Sequence, residues 1–195
     1  MVDTVRTEAA LAALFADNTS GLISEQDLRD FLISSRYLAN QGWDFHLDSE
    51  FTSGSPRTIL AGVRTQVTID GLTETLGHPL PLQHFWDVVT NKLIPNGVNN
   101  FGIVRLAMTA QSTAAPVNFF EIELDTAAGP FSIIYQQTAP FLKGFGNPQN
   151  YNFVIPLFSG PDFQANGATF YITPDSDATF WEFAITAAQI YGAAP

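Results

Sequence analysis

The chain contains no cysteine, and only two of its 195 residues are lysine, Lys92 and Lys143. Without a thiol there is no disulfide framework, no thiolate metal site and no cysteine nucleophile. The compartment stays open on this criterion, because a chain without thiols suits reducing and oxidising surroundings equally. Eight lysines and arginines stand against nineteen acids, a formal net charge of -11. No basic stripe is there to track a phosphate backbone, so direct nucleic-acid binding is not expected. No run approaches the roughly 18 apolar residues that mark a membrane span. The N-terminal MVDTVRTEAALAALFADN lacks a charged-then-apolar signal design. The expectation is a soluble protein made in the cytoplasm, with no membrane partner.

Catalytic signatures are missing as well. No GxSxG elbow occurs, so the three histidines have no marked serine to serve, and the serines of TSGSP and LFSGP read as turn residues. Phosphate-cradling glycine patterns are absent; KGFGNP has two of the glycines but runs into proline instead of a helix. The chain reads as a non-enzyme without cofactor or metal.

What is present is hydrophobic and aromatic. At 46% hydrophobic the chain can bury a real core as one compact domain plus an appendage. After Gly42 the pattern has period two. WDFHLDSEF alternates Trp43, Phe45 and Leu47 with Asp44, His46 and Asp48, and FFEIELDT alternates Phe120, Ile122 and Leu124 with Glu121, Glu123 and Asp125. Each predicts a strand with one wet face. PRTILAGVRTQVTID, HFWDVVTNKLI, FGIVRLAMTAQ, FSIIYQQTAPF, YNFVIPLF, GATFYITP and TFWEFAITAAQIY are further strands, separated by turn-rich pieces such as TAAGP, SGPDFQANG and PDSD. Eight or nine evenly spaced strands with no strong helix among them predict a mainly β fold, an antiparallel β-sandwich or jelly roll over residues 41–195.

Residues 1–40 read differently. Leu11, Leu14 and Phe15 share one side of a short helix from about Thr7 to Ala16, and Asp17 to Gly21 break it. Ser24 is a good N-cap with Asp27 three residues on, and Leu28, Phe31 and Leu32 give the next helix an apolar stripe, ending near Leu38. The same stretch has most of an EF-hand register, with Gly21 sixth, but Ala16 stands where the motif needs its first carboxylate, and the short Asp27 stands at position twelve. Helix, turn and capped helix is therefore the reading, a helical N-terminal arm and not a calcium site.

Other constellations have bland explanations. His46 shares a strand face with Asp44, Asp48 and Glu50, which reads as a solvated acidic edge, because neighbours on one strand sit too far apart to close on a small cation. His78, His84 and Asp87 match no helical ligand motif and read as packing and turn residues. Glu121, Glu123 and Asp125 lie on one exposed strand face without a partner of raised pKa, so paired-carboxylate hydrolysis is not supported. Aromatic residues make up 13% of the chain. On VNFF, YNFVIPLF and TFWEFAITAAQIY a second set, Phe119, Val154, Phe158 or Phe180, falls opposite the core. Strands apolar on both faces need cover on both, from loops, the helical arm or another subunit.

The ordered phrases HFWDVVTNKLIPNGVNNFGIVRLAMTA, FFEIELDTAAGPFSIIYQQTAPFLKGFGNPQNYNFVIPLFSG and FQANGATFYITPDSDATFWEFAITAAQIY resemble a β-sandwich domain of tailed-bacteriophage structural proteins, described as head decoration (cement) proteins, head fibres or tail-fibre components. LFADNTSGLISEQDLRDFL is similar to the turn-plus-helix segment that such proteins place before their globular part. The likeness spans about residues 11 to 191 and rests on phrases, not on a catalytic signature. It implies a jelly-roll homotrimer on the capsid exterior, made in the host bacterial cytoplasm, whose arm attaches it to the virion. The major capsid protein is then its partner, with Leu11, Leu14, Phe15, Leu28, Phe31 and Leu32 as capsid or oligomer contacts. The alternative is a tail-fibre or spike component that binds host surface glycan through Trp43, Trp86 or Trp181, although tryptophan in a strand is more often core.

Overall fold

The structure is a computed structural model that describes residues 24–38, 42–70, 73–76, 85–95, 101–115, 119–130 and 132–191. The first expected helix, with Leu11, Leu14 and Phe15, lies outside them. The second forms where its signals predict, as α1 (Glu25–Leu38). Its start is a reciprocal capping box: the Asp27 N–H donates to Ser24 Oγ at 3.1 Å, while the Ser24 N–H donates to Asp27 Oδ2 at 3.0 Å. Most of the calcium register, residues 16–23, is outside the described residues, but its twelfth position, Asp27, serves the cap.

The rest is mainly β and antiparallel. One sheet is built from β1 (Gly42–Leu47), β2 (Arg57–Ile59), β4 (Thr73–Leu76), β7 (Phe101–Ser112), β10 (Gln149–Phe158) and β12 (Ala178–Tyr191), in the order β10-β7-β12-β1-β4 with β2 beside β12. The other contains β3 (Thr65–Gln66), β8 (Phe119–Asp125), β9 (Ile133–Pro140) and β11 (Thr169–Pro174), in the order β3-β11-β8-β9. The sheets meet through one core. Phe120 of β8 sets its ring edge-on to Tyr151, Phe153 and Phe180 of the opposite sheet, with centroids 4.8, 6.2 and 5.3 Å away. That geometry suits the quadrupoles of the rings. Burial pushes the Tyr151 hydroxyl up to about 12, and it donates to the Pro140 carbonyl at 2.9 Å.

Several expected strands divide. PRTILAGVRTQVTID supplies β2 and β3 to different sheets, because Gly62 at φ 72° turns the chain between them. HFWDVVTNKLI is not one strand: among its described residues it is a tight hairpin, β5 (Trp86–Asp87) and β6 (Lys92–Leu93). Its turn is held by Asp87, whose carboxylate accepts from the Val89 N–H at 2.9 Å and the Thr90 hydroxyl at 2.6 Å. TETL adds an unexpected strand, and part of the turn-rich SGPDFQANG folds as a short helix, α2 (Pro161–Asn166), with Pro at its start and Gly167 at its end.

Phe180 does not fall opposite the core. It is fully buried, because a bulge between Trp181 and Ala184 changes the phase of β12. Before the bulge Ala178 and Phe180 point inward; after it Phe183, Ile185 and Ala187 do. Glu182 takes the positive φ of 56°, and its N–H donates to the Phe51 carbonyl at 2.9 Å.

Candidate functional site

The six-stranded sheet carries two kinds of chemistry on its two faces. Register sets the outward rungs: Val154–Arg105–Thr186–Phe45, Pro156–Ile103–Ala188–Trp43 and Asn152–Ala107–Ala184–Leu47, with Phe158 beside Phe101. Period-two alternation puts each rung on one side. Trp43 is 40% exposed and Phe158 61%, and Leu47, Phe101 and Val154 are exposed with them. Arg105 is the cation amid this apolar field, its guanidinium donating to Asn152 Oδ1 at 2.6 and 2.9 Å. Val154 and Phe158 thus lie opposite the core as the pattern predicts, and Phe119 is likewise exposed on β8 of the other sheet.

The inward face of β1 overturns the expected solvated acidic edge. Asp44 and His46 are each 1% exposed, and Asp48 is buried too, whereas Trp43 and Leu47 face out. His46 Nε2–H donates to Asp44 Oδ2 at 3.1 Å, so these same-face neighbours do reach each other. The Phe85 and Trp86 N–H groups donate to the same oxygen at 2.8 and 3.2 Å. Asp48 accepts from the N–H groups of Phe51 at 2.9 Å and Asp70 at 3.2 Å. Carboxylates enter the core here because irregular loops cross this edge of the sheet and their amides need acceptors. Glu50 is exposed, outside the cluster. Among the described residues no group of three or more His, Asp or Glu is arranged to hold a metal. His78 and His84 lie outside them.

On β8 the acids take the outward face as expected, but they are not bare. Arg64 donates to Glu123 and Asp125, each at 2.6 Å, and its guanidinium carbon lies 3.6 Å from the Tyr171 ring centroid. One guanidinium here bridges two carboxylates and covers Glu123, which is buried beneath it.

Of the predicted contact residues, Leu28, Phe31 and Leu32 are exposed on α1. Trp86 and Trp181 are core, which removes them as sugar platforms, while Trp43 is at the surface. Sequence reasoning missed an open-mouthed pocket where β7 begins and β10 and β12 end, flanked by the β5–β6 hairpin and α2. Ser159, read as a turn residue, and Gln189 line it, and both are buried. The signal available was a glutamine at an inward position of an otherwise apolar strand.

No protein-family profile matches the chain, and no curated protein does. Solved structures with a similar course include the PRD1 vertex protein P5, 14% identical over 77% of this chain and 73% of that one, with a TM-score of 0.44. Eiger TNF from S. frugiperda is 10% identical over 78% of this chain and 93% of that one, TM-score 0.45. A cowpea mosaic virus empty virus-like particle is 7% identical over 80% and 82%, TM-score 0.28. Likenesses of this size carry no functional argument.

Proposed function

We propose that this protein is a non-enzymatic virion protein of a tailed bacteriophage that decorates and stabilises the capsid, as a homotrimer at threefold or quasi-threefold positions. The observation that carries the reading is the outer face of the six-stranded sheet, where Phe158, Phe101, Val154, Trp43 and Leu47 are exposed together around Arg105. Further copies of the chain are the occupants it suits. The phrase-level resemblance to phage decoration proteins supplies the class of particle. Strand pairing supports a jelly roll: when β1, β3, β7, β8, β9, β10, β11 and β12 are ranked one to eight, first pairs with last, second with seventh, third with sixth and fourth with fifth. That is the order of a long hairpin rolled into two sheets.

Residues 1–40 act as the arm and 41–195 as the domain it holds on the capsid exterior. The major capsid protein is the arm's partner, and Leu28, Phe31 and Leu32 are the described part of the contact. Contacts that exist only in the assembled shell stabilise it by mass action. Replacing Phe31 and Leu32 with Asp should abolish capsid binding while the β domain stays folded; unchanged binding would count against the arm.

Trp43 favours a second reading, since an exposed indole is a platform for a sugar ring, and a tail-fibre or spike component would bind host surface glycan there. Electron microscopy of intact particles with gold-labelled antibody separates the two. Label over the whole head supports decoration; label at the tail tip or collar sinks it in favour of host recognition.

A further inference from the structure

Strand β9 ends the four-stranded sheet, and among the described residues no strand pairs with its far side. Most of its residues are exposed, Ile133 at 44% and Ile134 at 43% among them. The hydrogen bonds of β11 fix which main-chain groups that far side presents. The Val67 N–H donates to the Phe170 carbonyl at 2.8 Å and the Gly62 N–H to the Pro174 carbonyl at 2.7 Å, so Phe170 and Pro174 turn their main-chain groups away from β8. Their β8 partners, Leu124 and Phe120, therefore bond to β9, as does Ile122 between them. Tyr135, Gln137 and Ala139 stand opposite these three. A trans peptide sets each carbonyl opposite the next N–H. The N–H groups of Gln136 and Thr138 and the carbonyls of Ile134, Gln136 and Thr138 are thus directed outward, and no described residue bonds to them.

The other sheet ends are guarded. Pro156 within β10 supplies no N–H, β4 carries Glu74, and β3 is only Thr65–Gln66. In a chain of net charge -11, β9 is IIYQQTAP, with no acid, no base and no proline before its last residue. Both of its ends are closed to pairing. A bulge lies between Leu124 and Asp125, beside Ile134, and at the other end Pro140 has no N–H and its carbonyl accepts from the Tyr151 hydroxyl at 2.9 Å. Gln136 stands midway in the stretch that remains. We propose that β9 pairs antiparallel with β9 of a second copy about a twofold axis at Gln136, joining two four-stranded sheets edge to edge. In that register Gln136 meets its own equivalent and the two exchange N–H···O bonds, while each Thr138 N–H reaches the other copy's Ile134 carbonyl. The side chains suit one another: Ile134 lies against Thr138, both β-branched, and each Gln136 amide offers a donor and an acceptor. Arg64 bridges Glu123 and Asp125 at 2.6 Å each, which shields two of the acids nearest the seam. Two acidic copies still repel as wholes, so added salt strengthens the contact. The seam is short, on the scale of transient contacts, and gains by effective concentration wherever an assembly holds copies side by side. It does not rest on the capsid reading, because the outer apolar face belongs to the other sheet.

The test is residue-resolved amide hydrogen exchange of the full chain, at low micromolar and at near-millimolar concentration. In the dilute sample β8 should protect the Tyr135 and Gln137 amides, while those of Gln136 and Thr138 exchange freely. In the concentrated sample Gln136 and Thr138 should slow about fivefold or more, and further with added salt. Gln136→Lys sets like charges opposite each other at the axis and should remove this concentration dependence, with continued protection at Tyr135 and Gln137 reporting that β9 is still in its sheet. Trp43→Ser with Phe158→Ser should keep it, because those rings lie on the other sheet. Equal protection of Gln136 and Thr138 at every concentration would mean that the chain itself covers the edge, and would overturn the pairing. So would exchange that stays free at high concentration, slowing that survives Gln136→Lys, or slowing lost with Trp43 and Phe158. The concentration series uses the unmodified protein, so it decides even where a variant does not fold.

Discussion

Strands β1 and β8 have the same grammar and opposite orientation. In WDFHLD and FFEIELD acids alternate with large apolar residues, yet β8 turns Phe120, Ile122 and Leu124 into the core while β1 turns Asp44, His46 and Asp48 inward and leaves Trp43 and Leu47 outside. Periodicity assigns residues to faces; it does not say which face is the core. What decides is the neighbourhood. The acids of β8 meet Arg64 and solvent, whereas those of β1 meet loop amides that lie inside the edge of the sheet. Where an irregular loop must be buried, a carboxylate inside the core is the cheaper arrangement, because unpaired amides cost about 1–3 kcal/mol each.

The sharpest way to break this contrast is a pair of truncations. Phe120→Ala removes the ring around which the aromatic cluster of both sheets is packed, and should cost about 3–5 kcal/mol in urea unfolding. Phe45→Ala, the corresponding alternation position on the outward face of β1, should cost under about 1 kcal/mol in the isolated chain. Equal losses would mean that the two strands face the same way after all.

The acids should show the reverse ranking. Asp44→Ala strands the Phe85 and Trp86 amides and removes the carboxylate that His46 Nε2 meets, and should cost about 3 kcal/mol. Asp44→Asn keeps one acceptor oxygen and should lose less. Glu121→Ala, on the half-buried outer side of β8, should stay within about 0.5 kcal/mol. Chemical denaturation of the three variants at one pH checks the order.

Much of the fold was legible, and the misses share a cause. The capping box at Ser24 and Asp27 is a local interaction with a sequence signature, and it forms as read. Long strands such as β7, β10 and β12 were visible because each carries many alternating positions. Phe180 was misplaced because a bulge at Glu182 changes phase without any glycine to announce it. The β5–β6 hairpin was hidden because Asn91, not glycine, takes the positive φ of 53° in its turn. At the candidate sites the exposure of Leu28, Phe31 and Leu32 followed from the helical stripe, but the pocket around Gln189 did not, since it is assembled from strand ends and loops far apart in sequence.

Loss of the outer face should leave stability nearly unchanged and act on association. Trp43→Ser with Phe158→Ser removes two of its exposed rings from opposite ends of the sheet. Sedimentation equilibrium should show mass shifted from trimer toward monomer, with an unfolding midpoint close to that of the parent. A parent that is monomeric at all concentrations would remove the trimer and leave the face to another partner.

The smallest effect belongs to β8. Burial alone would push the Asp125 carboxyl up, but Ser132, the Ala127 N–H and Arg64 outweigh it and hold the group below its ordinary value. A carboxylate depressed in the folded state contributes stability that is full above its unfolded value, about 4, and is lost as pH falls through the folded one. Arg64 is 39% exposed on its side chain, so its two bridges are screened, and Arg64→Ala should cost no more than about 1 kcal/mol at neutral pH. The difference between parent and variant should then narrow as pH falls below about 4, where Asp125 takes up its proton and the pairing goes with it. A gap that stays constant down to acid pH would mean that Arg64 acts through its stacking on Tyr171, which is indifferent to that proton, and not through the carboxylates.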